Sequence, residues 1–223
     1  MKIIIDAGHG YSTPGKRSPS GMREYEFNRA AAQSVKKNLL SYENTEVFFT
    51  HSDHKDVSLD QRTDWANFIK ADVFISIHAN AFGSGWNEAR GVETYVHLTN
   101  PQAAVRLANT IQNRLAAMTG LVNRGVKTAD FHVLRETEMT AVLVECGFMT
   151  NRKEAELLQS PVYRNTCGQA IALALADFYR LKKKKDKSFL YKVQAGAFST
   201  RENAEVLVSR LKKAGFESFI SRE

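Results

Sequence analysis

Two histidines stand at the ends of apolar stretches whose residue pattern predicts buried strands. Residues 2–6 lead into Gly8-His9-Gly10, and residues 73–77 lead into His78. In open α/β sheets the functional crevice lies outside the carboxyl ends of the strands, so we expect His9 and His78 to converge there. Two imidazoles and one carboxylate suit a catalytic zinc ion whose fourth position is left for water.

Glu24 and Glu26 compete for the role of the carboxylate ligand. Both stand at the start of a predicted helix, where an acidic residue is also expected simply because it opposes the helix dipole. The spacing alone does not separate them. Asp6, three residues before His9, is a candidate to accept a proton from a ligand imidazole and fix its tautomer, although a turn or capping role explains it equally well.

Glu145 ends the apolar segment 140–144, where an unpaired buried charge would be too costly. Beside a metal-bound water it would be a candidate general base, whereas an ion pair with Arg135 from a neighbouring strand would satisfy it equally well. Cys146 suggests a rival Cys-His hydrolase. Strand alternation directs Cys146 to the face opposite Glu145, so we expect a buried structural thiol.

Apolar periodicity predicts the elements that position these residues. We expect strands near 2–6, 45–50, 72–77, 92–97, 131–135 and 140–146, and helices near 25–41, 59–70, 101–118, 151–159 and 161–181. This alternation predicts an α/β fold, with a single mixed, mostly parallel sheet, helices on both faces and a phosphorylase/hydrolase-like layout.

The end of the chain differs in charge from the rest. Eleven of the 31 Lys and Arg residues lie in 182–223, against 5 of the 24 Asp and Glu residues, which predicts attraction to a polyanion. We expect a main domain over 1–181, a basic linker over 182–187 and a small β-α-β unit over 188–223, with strands at 189–198 and 216–221 around a helix at 201–214. A unit this small should dock or pair with another copy.

The remaining composition predicts an ordinary soluble protein. No apolar stretch is long enough to span a membrane, and the first residues lack the features of a signal peptide, so we expect synthesis in the cytoplasm. Cys146 and Cys167 are expected to be free buried thiols.

Taken together and in order, six segments resemble the zinc-dependent N-acetylmuramoyl-L-alanine amidases of bacterial cell walls and phage endolysins. They are IDAGHG (5–10), GMREYEFN (21–28), SLDQR (58–62), ISIHAN (75–80), FHVLR (131–135) and VECGFMTN (144–151). The resemblance implies that His9, Glu24 and His78 are zinc ligands and that Glu145 is the catalytic acid and base. It favours Glu24 over Glu26 because the family's ligand precedes an Asn by four positions, as Glu24 precedes Asn28.

The segment YKVQAGAF (191–198) resembles part of a half repeat of SPOR peptidoglycan-binding domains, as found in some Bacillus sporulation-type amidases. The two resemblances imply a peptidoglycan hydrolase that cuts between N-acetylmuramic acid and L-alanine. Its expected partners are peptidoglycan, anionic wall polymers and a second copy through 188–223, without nucleic acid. It would reach the wall after holin-assisted release or mother-cell lysis. The alternatives are a zinc peptidase acting on the stem peptide and a non-catalytic wall-binding module.

Overall fold

A six-stranded sheet organises the computed structural model, which describes residues 1–13, 15–184 and 193–222. The strands are β1 (Lys2–Ala7), β2 (Glu46–Phe49), β3 (Val73–Asn80), β4 (Val92–His97), β5 (Asn123–Ala129) and β6 (Thr140–Phe148), in the spatial order β2-β1-β3-β6-β4-β5. Strand β4 runs antiparallel to β6, and every other pairing is parallel. The predicted mixed, mostly parallel sheet is therefore confirmed.

Helices cover both faces of this sheet, as predicted. They are α1 (Glu24–Leu39), α2 (Leu59–Phe68), α3 (Gln102–Thr119), α4 (His132–Arg135), α5 (Arg152–Gln159) and α6 (Pro161–Tyr179). Ser58 and Gln61 form the capping box that starts α2, because each side chain accepts a hydrogen bond from the other residue's backbone amide. None of the helices in the described part of the chain combines the length and apolarity that a bilayer crossing requires.

Strand alternation gives the two faces of the sheet unequal cores. Ile3 and Ile5 point into the larger core, which is packed by α1, α3 and α6. Ile4 and Phe74 point into a smaller core, to which α2 and α4 contribute. Further along the strands on this second face, towards their carboxyl ends, the side chains become polar.

Two predictions about individual strands were wrong. Residues 132–135 form the short helix α4, whose Val133 and Leu134 are buried in the smaller core. A short apolar run does not distinguish a strand from a helix, which explains the error. Strand β5 was not predicted because it is an edge strand in which no residue is fully buried, so its sequence lacks an apolar run.

The chain divides into two compact units, 1–184 and 185–223. The first three residues of the predicted linker belong to the first unit, since the Lys182 carbonyl accepts from the Glu43 amide and the Lys184 amide donates to the Ser41 carbonyl, both at 2.8 Å. The rest of the linker and residues 189–192 of the predicted strand lie outside the described residues.

The second unit contains α7 (Arg201–Lys213), which begins after Thr200, whose hydroxyl accepts a hydrogen bond from the Asn203 amide. The prediction of strands on either side of this helix was wrong for the described residues, because 193–198 and 216–221 are not in strands. A strand requires a hydrogen-bonded partner, and neither segment pairs with described residues.

Candidate metal centre and active site

His9, Glu24 and His78 come together above the carboxyl ends of the neighbouring parallel strands β1 and β3. His9 follows β1, His78 lies near the end of β3, and Glu24 is the first residue of α1. His9 Nε2 is 3.1 Å from Glu24 Oε2, and His78 Nδ1 is 2.7 Å from Glu24 Oε1. One nitrogen or oxygen atom from each residue lies within 4.8 Å of the other two, so this group could hold a metal ion.

The phase of α1 separates the two candidate carboxylates. Glu24 is buried with its carboxylate between the two imidazoles, whereas Glu26 is exposed. Burial raises the pKa of Glu24, but hydrogen bonds and charges from His78 and His9 outweigh it and hold that pKa well below its usual range. Asn28, one turn later, donates from its side chain to Glu24 Oε1 at 3.3 Å and to the Gly8 carbonyl at 3.0 Å. The carboxylate is therefore ionised and fixed in position.

Two glycines make room for these side chains. A methyl group added at Gly8 would lie 2.0 Å from His78 Cε1, and one added at Gly15 would lie 2.5 Å from Glu24 Oε2. His9 itself has a φ of 66°, in the left-handed region that residues with side chains rarely adopt. Arg62 supports this conformation, because its Nη2 donates to the His9 carbonyl at 2.5 Å.

Replacing Gly8 by alanine should therefore displace His78 from the site. We expect the Gly8→Ala protein to lose metal affinity by at least the roughly 10- to 100-fold that is typical when the support of a metal ligand is removed. Zinc titration with a competing chelator would measure this loss. Gly85→Ala is the matched control, since a methyl group there contacts nothing within 4 Å, and equal affinities in the two variants would contradict the steric argument.

The hydrogen bonds of Asp6 lead through Ser76 to His78 and not to the His9 side chain. Its Oδ2 accepts a hydrogen bond from the Ser76 hydroxyl at 2.6 Å, and the Ser76 oxygen lies 3.1 Å from His78 Nε2. Because the serine donates to Asp6, its oxygen is available to accept from His78 Nε2–H, and a metal ion held by Nδ1 and Glu24 would take the place of a proton between them. With a metal ion on Nδ1, this arrangement would hold His78 in the tautomer that a metal ligand needs.

Sequence reasoning missed Ser76 and Arg62 as parts of this support. Arg62 Nη1 forms a buried ion pair with Asp6 at 2.7 Å and donates to the Ala7 carbonyl at the same distance. Although burial raises the pKa of Asp6, the Arg62 charge and the hydrogen bonds from Ser76 and Thr50 outweigh it and lower that pKa. Two features of the sequence could have pointed to them. Ser76 precedes His78 by two residues and so lies on the same strand face, and Arg62 lies on the buried side of α2.

Glu145 lies next to His78 across the sheet, since the two residues are paired in the parallel register of β3 and β6. Its Oε2 atom is buried and has no hydrogen-bond partner among the described residues. Burial, followed by the negative charges of Glu24 and Glu93, raises the pKa of Glu145 well above that of an ordinary glutamate. A carboxyl group with a raised pKa is suited to take up and return a proton.

The alternative ion pair between Glu145 and Arg135 is not formed. Arg135 ends α4 and pairs with Asp130 at 2.8 Å and with Glu136 at 2.7 Å. The expectation came from treating residues 131–135 as a strand beside β6. Because Arg135 pairs with Asp130 and Glu136, it does not support Glu145.

Cys146 points away from Glu145 into the larger core, as strand alternation predicted, and both cysteines are free and buried. The Cys146→Ala protein should therefore keep the wild-type rate of any hydrolysis and lose about 1 kcal/mol of stability, a usual cost for a single substitution. Assay and thermal unfolding of the purified variant would test this. A loss of activity in a folded Cys146→Ala protein would instead support a thiol nucleophile.

The sequence is similar to known proteins over almost its whole length. The model of the N-acetylmuramoyl-L-alanine amidase family (Amidase_3) matches residues 3–177, and the model of the SPOR domain matches residues 169–222. The chain is 36% identical to N-acetylmuramoyl-L-alanine amidase CwlM of Bacillus licheniformis and 34% identical to the sporulation-specific N-acetylmuramoyl-L-alanine amidase of Bacillus subtilis (strain 168). Each alignment covers 99% of this chain and 84% of the relative.

A solved structure shares the fold of the first unit. The catalytic domain of CwlV, an N-acetylmuramoyl-L-alanine amidase from Bacillus (Paenibacillus) polymyxa var. colistinus, superposes with a TM-score of 0.76 at 38% identity, covering 81% of this chain and 99% of that domain. With a family model that spans most of its length and relatives that match it almost from end to end, this chain belongs to the N-acetylmuramoyl-L-alanine amidase family.

Proposed function

We propose that this protein is a zinc-dependent peptidoglycan hydrolase that cleaves the amide between the lactyl group of N-acetylmuramic acid and the first L-alanine of the stem peptide. One observation carries the proposal. His9, Glu24 and His78 offer donor atoms that lie within 4.8 Å of one another, and Glu145 stands beside them with an unpartnered carboxylate oxygen. Membership of the amidase family supports the choice of bond.

The donor set fits zinc. Two imidazole nitrogens and one carboxylate oxygen are the protein ligands of one common class of catalytic zinc site, and His9, Glu24 and His78 would supply them. When bound, zinc would polarise the scissile carbonyl and lower the pKa of a coordinated water to about 7.

Other residues of the chain would position the metal ligands and transfer protons. Glu24 stays ionised between the imidazoles, and Asp6 orients His78 through Ser76. Glu145 Oε2 accepts the proton of the attacking water and later delivers it to the nitrogen of the leaving peptide, which is the general acid and base role that its raised pKa supports.

Mass spectrometry of purified peptidoglycan after digestion tests the bond that is cut. We expect free stem peptides that begin with L-alanine, together with glycan that retains its lactyl groups. A stem-peptide peptidase would leave L-alanine attached to the glycan, and a binding module would sediment with walls without releasing new amino termini. Either result would overturn the proposal.

Removal of the metal should abolish this activity. We expect dialysis against a zinc chelator to reduce product release to background, and added zinc to restore it, because His9, Glu24 and His78 would no longer hold a Lewis acid that polarises the scissile carbonyl. Far-ultraviolet circular dichroism before and after dialysis controls for unfolding. Full activity in protein shown by elemental analysis to be metal-free would contradict the zinc role.

For the C-terminal residues we propose a wall-binding unit over 188–223, joined by residues 185–187 to a catalytic domain that extends to residue 184. The match to the SPOR domain model and the basic composition of this region support this role. Its charge would add a salt-dependent attraction to anionic wall polymers. The protein would act on the wall after holin-assisted release or mother-cell lysis.

We also propose that two chains associate through 188–223. In this unit α7 buries none of its residues, and Phe216 and Phe219 are 64% and 81% exposed, so apolar surface is available to a second copy. Sedimentation equilibrium of the full chain should show a monomer–dimer equilibrium. A monomer mass that does not change with concentration would exclude the dimer.

A further inference from the structure

A second buried carboxylate lies directly beside Glu145. Glu93 on β4 is opposite Glu145 in the antiparallel register of β4 and β6, and it is only 2% exposed. Its Oε2 accepts a hydrogen bond from Arg124 Nε at 2.6 Å and another from Lys127 Nζ, both on the edge strand β5. Asn80 and Tyr95 donate to its other oxygen at 2.7 and 2.6 Å. This buried anion therefore fixes the positions of two cations near the general base.

Arg124 and Lys127 are partly exposed and carry more positive charge than Glu93 balances. Each of their side chains is 36% exposed, and Glu93 balances only one of their two charges. The Arg124 guanidinium lies over the Phe148 ring at 4.9 Å and donates from Nη1 to the Arg90 carbonyl at 3.3 Å. Its Nη2 has no hydrogen-bond partner among residues 1–13, 15–184 and 193–222. Arg124 and Lys127 are thus held in place with donors available to an anion.

The direction in which the substrate lies follows from the proposed function, on which this inference rests. Glu145 must deliver a proton to the nitrogen of the leaving peptide, so this nitrogen lies on the Glu145 side of the metal ligands. In the sheet order, β6 carries Glu145, and β4 and then β5 follow on the side away from β1. A stem peptide that continues in this direction from the scissile amide crosses β4 and reaches β5.

The distances match a specific part of that peptide. Neighbouring strands are about 4.8 Å apart, so β4 and β5 lie about 5 and 10 Å from β6. An extended peptide advances about 3.3 Å per residue, which brings the second or third residue of the stem over this region. Arginine recognises carboxylates with paired hydrogen bonds, and lysine adds a point charge.

We propose that Arg124 and Lys127 form a carboxylate-binding subsite for a free carboxylate on the second or third residue of the stem peptide. The subsite would make the enzyme selective for stem peptides with that acid free over those in which it is amidated. Its orientation comes from Glu93, which acts through the two cations and does not touch the substrate.

Paired synthetic muramoyl peptides test the proposal on the intact protein. One pair differs only in a free or amidated carboxyl group at the second residue, and another pair differs only at the third. In one of the pairs, kcat/KM should be about 10- to 100-fold higher for the free acid, as expected for hydrogen bonds to a charged group. Equal kcat/KM within both pairs would overturn the subsite. Failure to cleave any of the four peptides would instead overturn the proposed function.

Substitutions then locate the selectivity. Lys127→Met and Arg124→Gln should each move the acid-to-amide ratio towards one, mainly by raising KM for the acid. Each variant still leaves one cation to pair with the buried Glu93. If either variant fails to fold, the comparison of peptides with the unmodified enzyme still tests the subsite. Arg106→Gln, which removes an exposed charge from α3, is the control and should keep the full ratio. Selectivity that persists in both test variants would overturn the assignment.

Discussion

Glu145→Gln should keep its zinc and lose nearly all of its activity. The amide has almost the shape of the carboxyl group but cannot accept a proton, so the attacking water would lose its base and the leaving nitrogen its acid. Proton transfer by a positioned side chain contributes about 10²- to 10⁴-fold to a rate, and we expect kcat to fall by that factor. Hydrolysis of purified peptidoglycan, followed by release of amino termini, measures the effect.

Zinc content separates this result from a damaged metal site. Elemental analysis should find the same zinc stoichiometry in Glu145→Gln and in the unmodified protein, because Glu145 does not belong to the group of candidate metal ligands, His9, Glu24 and His78. Glu145→Ala should behave in the same way. Glu26→Gln is the matched control, since its carboxylate is exposed outside the site, and it should retain full activity. Turnover near the normal rate in Glu145→Gln would remove Glu145 from the mechanism.

Asp6→Asn should produce the largest loss of stability. Asp6 and the Arg62 side chain are almost completely buried, so removing the carboxylate leaves the guanidinium charge without its partner. Breaking a buried ion pair in this way costs about 3–5 kcal/mol. Urea unfolding at pH 7 would measure the change in the free energy of unfolding. Asp53→Asn tests a half-exposed pair with Arg29 and should cost no more than about 1 kcal/mol.

The stability difference between Asp6→Asn and the unmodified protein should depend on pH. The pKa of Asp6 is lowered in the folded state, so its contribution is complete above the unfolded pKa of about 3.9. It is lost as the pH falls through the folded value, because the folded carboxylate is then protonated. The difference should therefore be constant from pH 7 to about 5 and shrink below about pH 4. A difference that grows as the solution is acidified would contradict the ion-pair explanation.

Local sequence patterns predicted most of the first unit because its elements are amphipathic or fully buried. The strand that precedes His9 and the strand that carries His78 are mostly apolar and buried, so both imidazoles could be placed at strand ends without knowledge of the tertiary structure. Edge strand β5 and helix α4 were not predicted. An edge strand is only partly buried, and a single apolar turn fits a strand as well as a helix.

The candidate site was predictable only in part, for a different reason. Glu24 and Glu26 have the same local setting, and only the contacts of α1 with both imidazoles distinguish them. Ser76 and Arg62 are common residue types whose importance comes from partners 70 and 56 positions away in the chain. Such long-range pairs leave no signal in the spacing of a single sequence.

The unequal covering of the two sheet faces has a consequence for access. The smaller core ends below the level of Glu145, and the rings of His9 and His78 remain 36% and 15% exposed at the rim of the sheet. Cross-linked peptidoglycan has few free chain ends that could enter a tunnel-shaped active site. Because two imidazole rings of the site are exposed to solvent at the edge of the sheet, a polymer strand without a free end can approach them from the side.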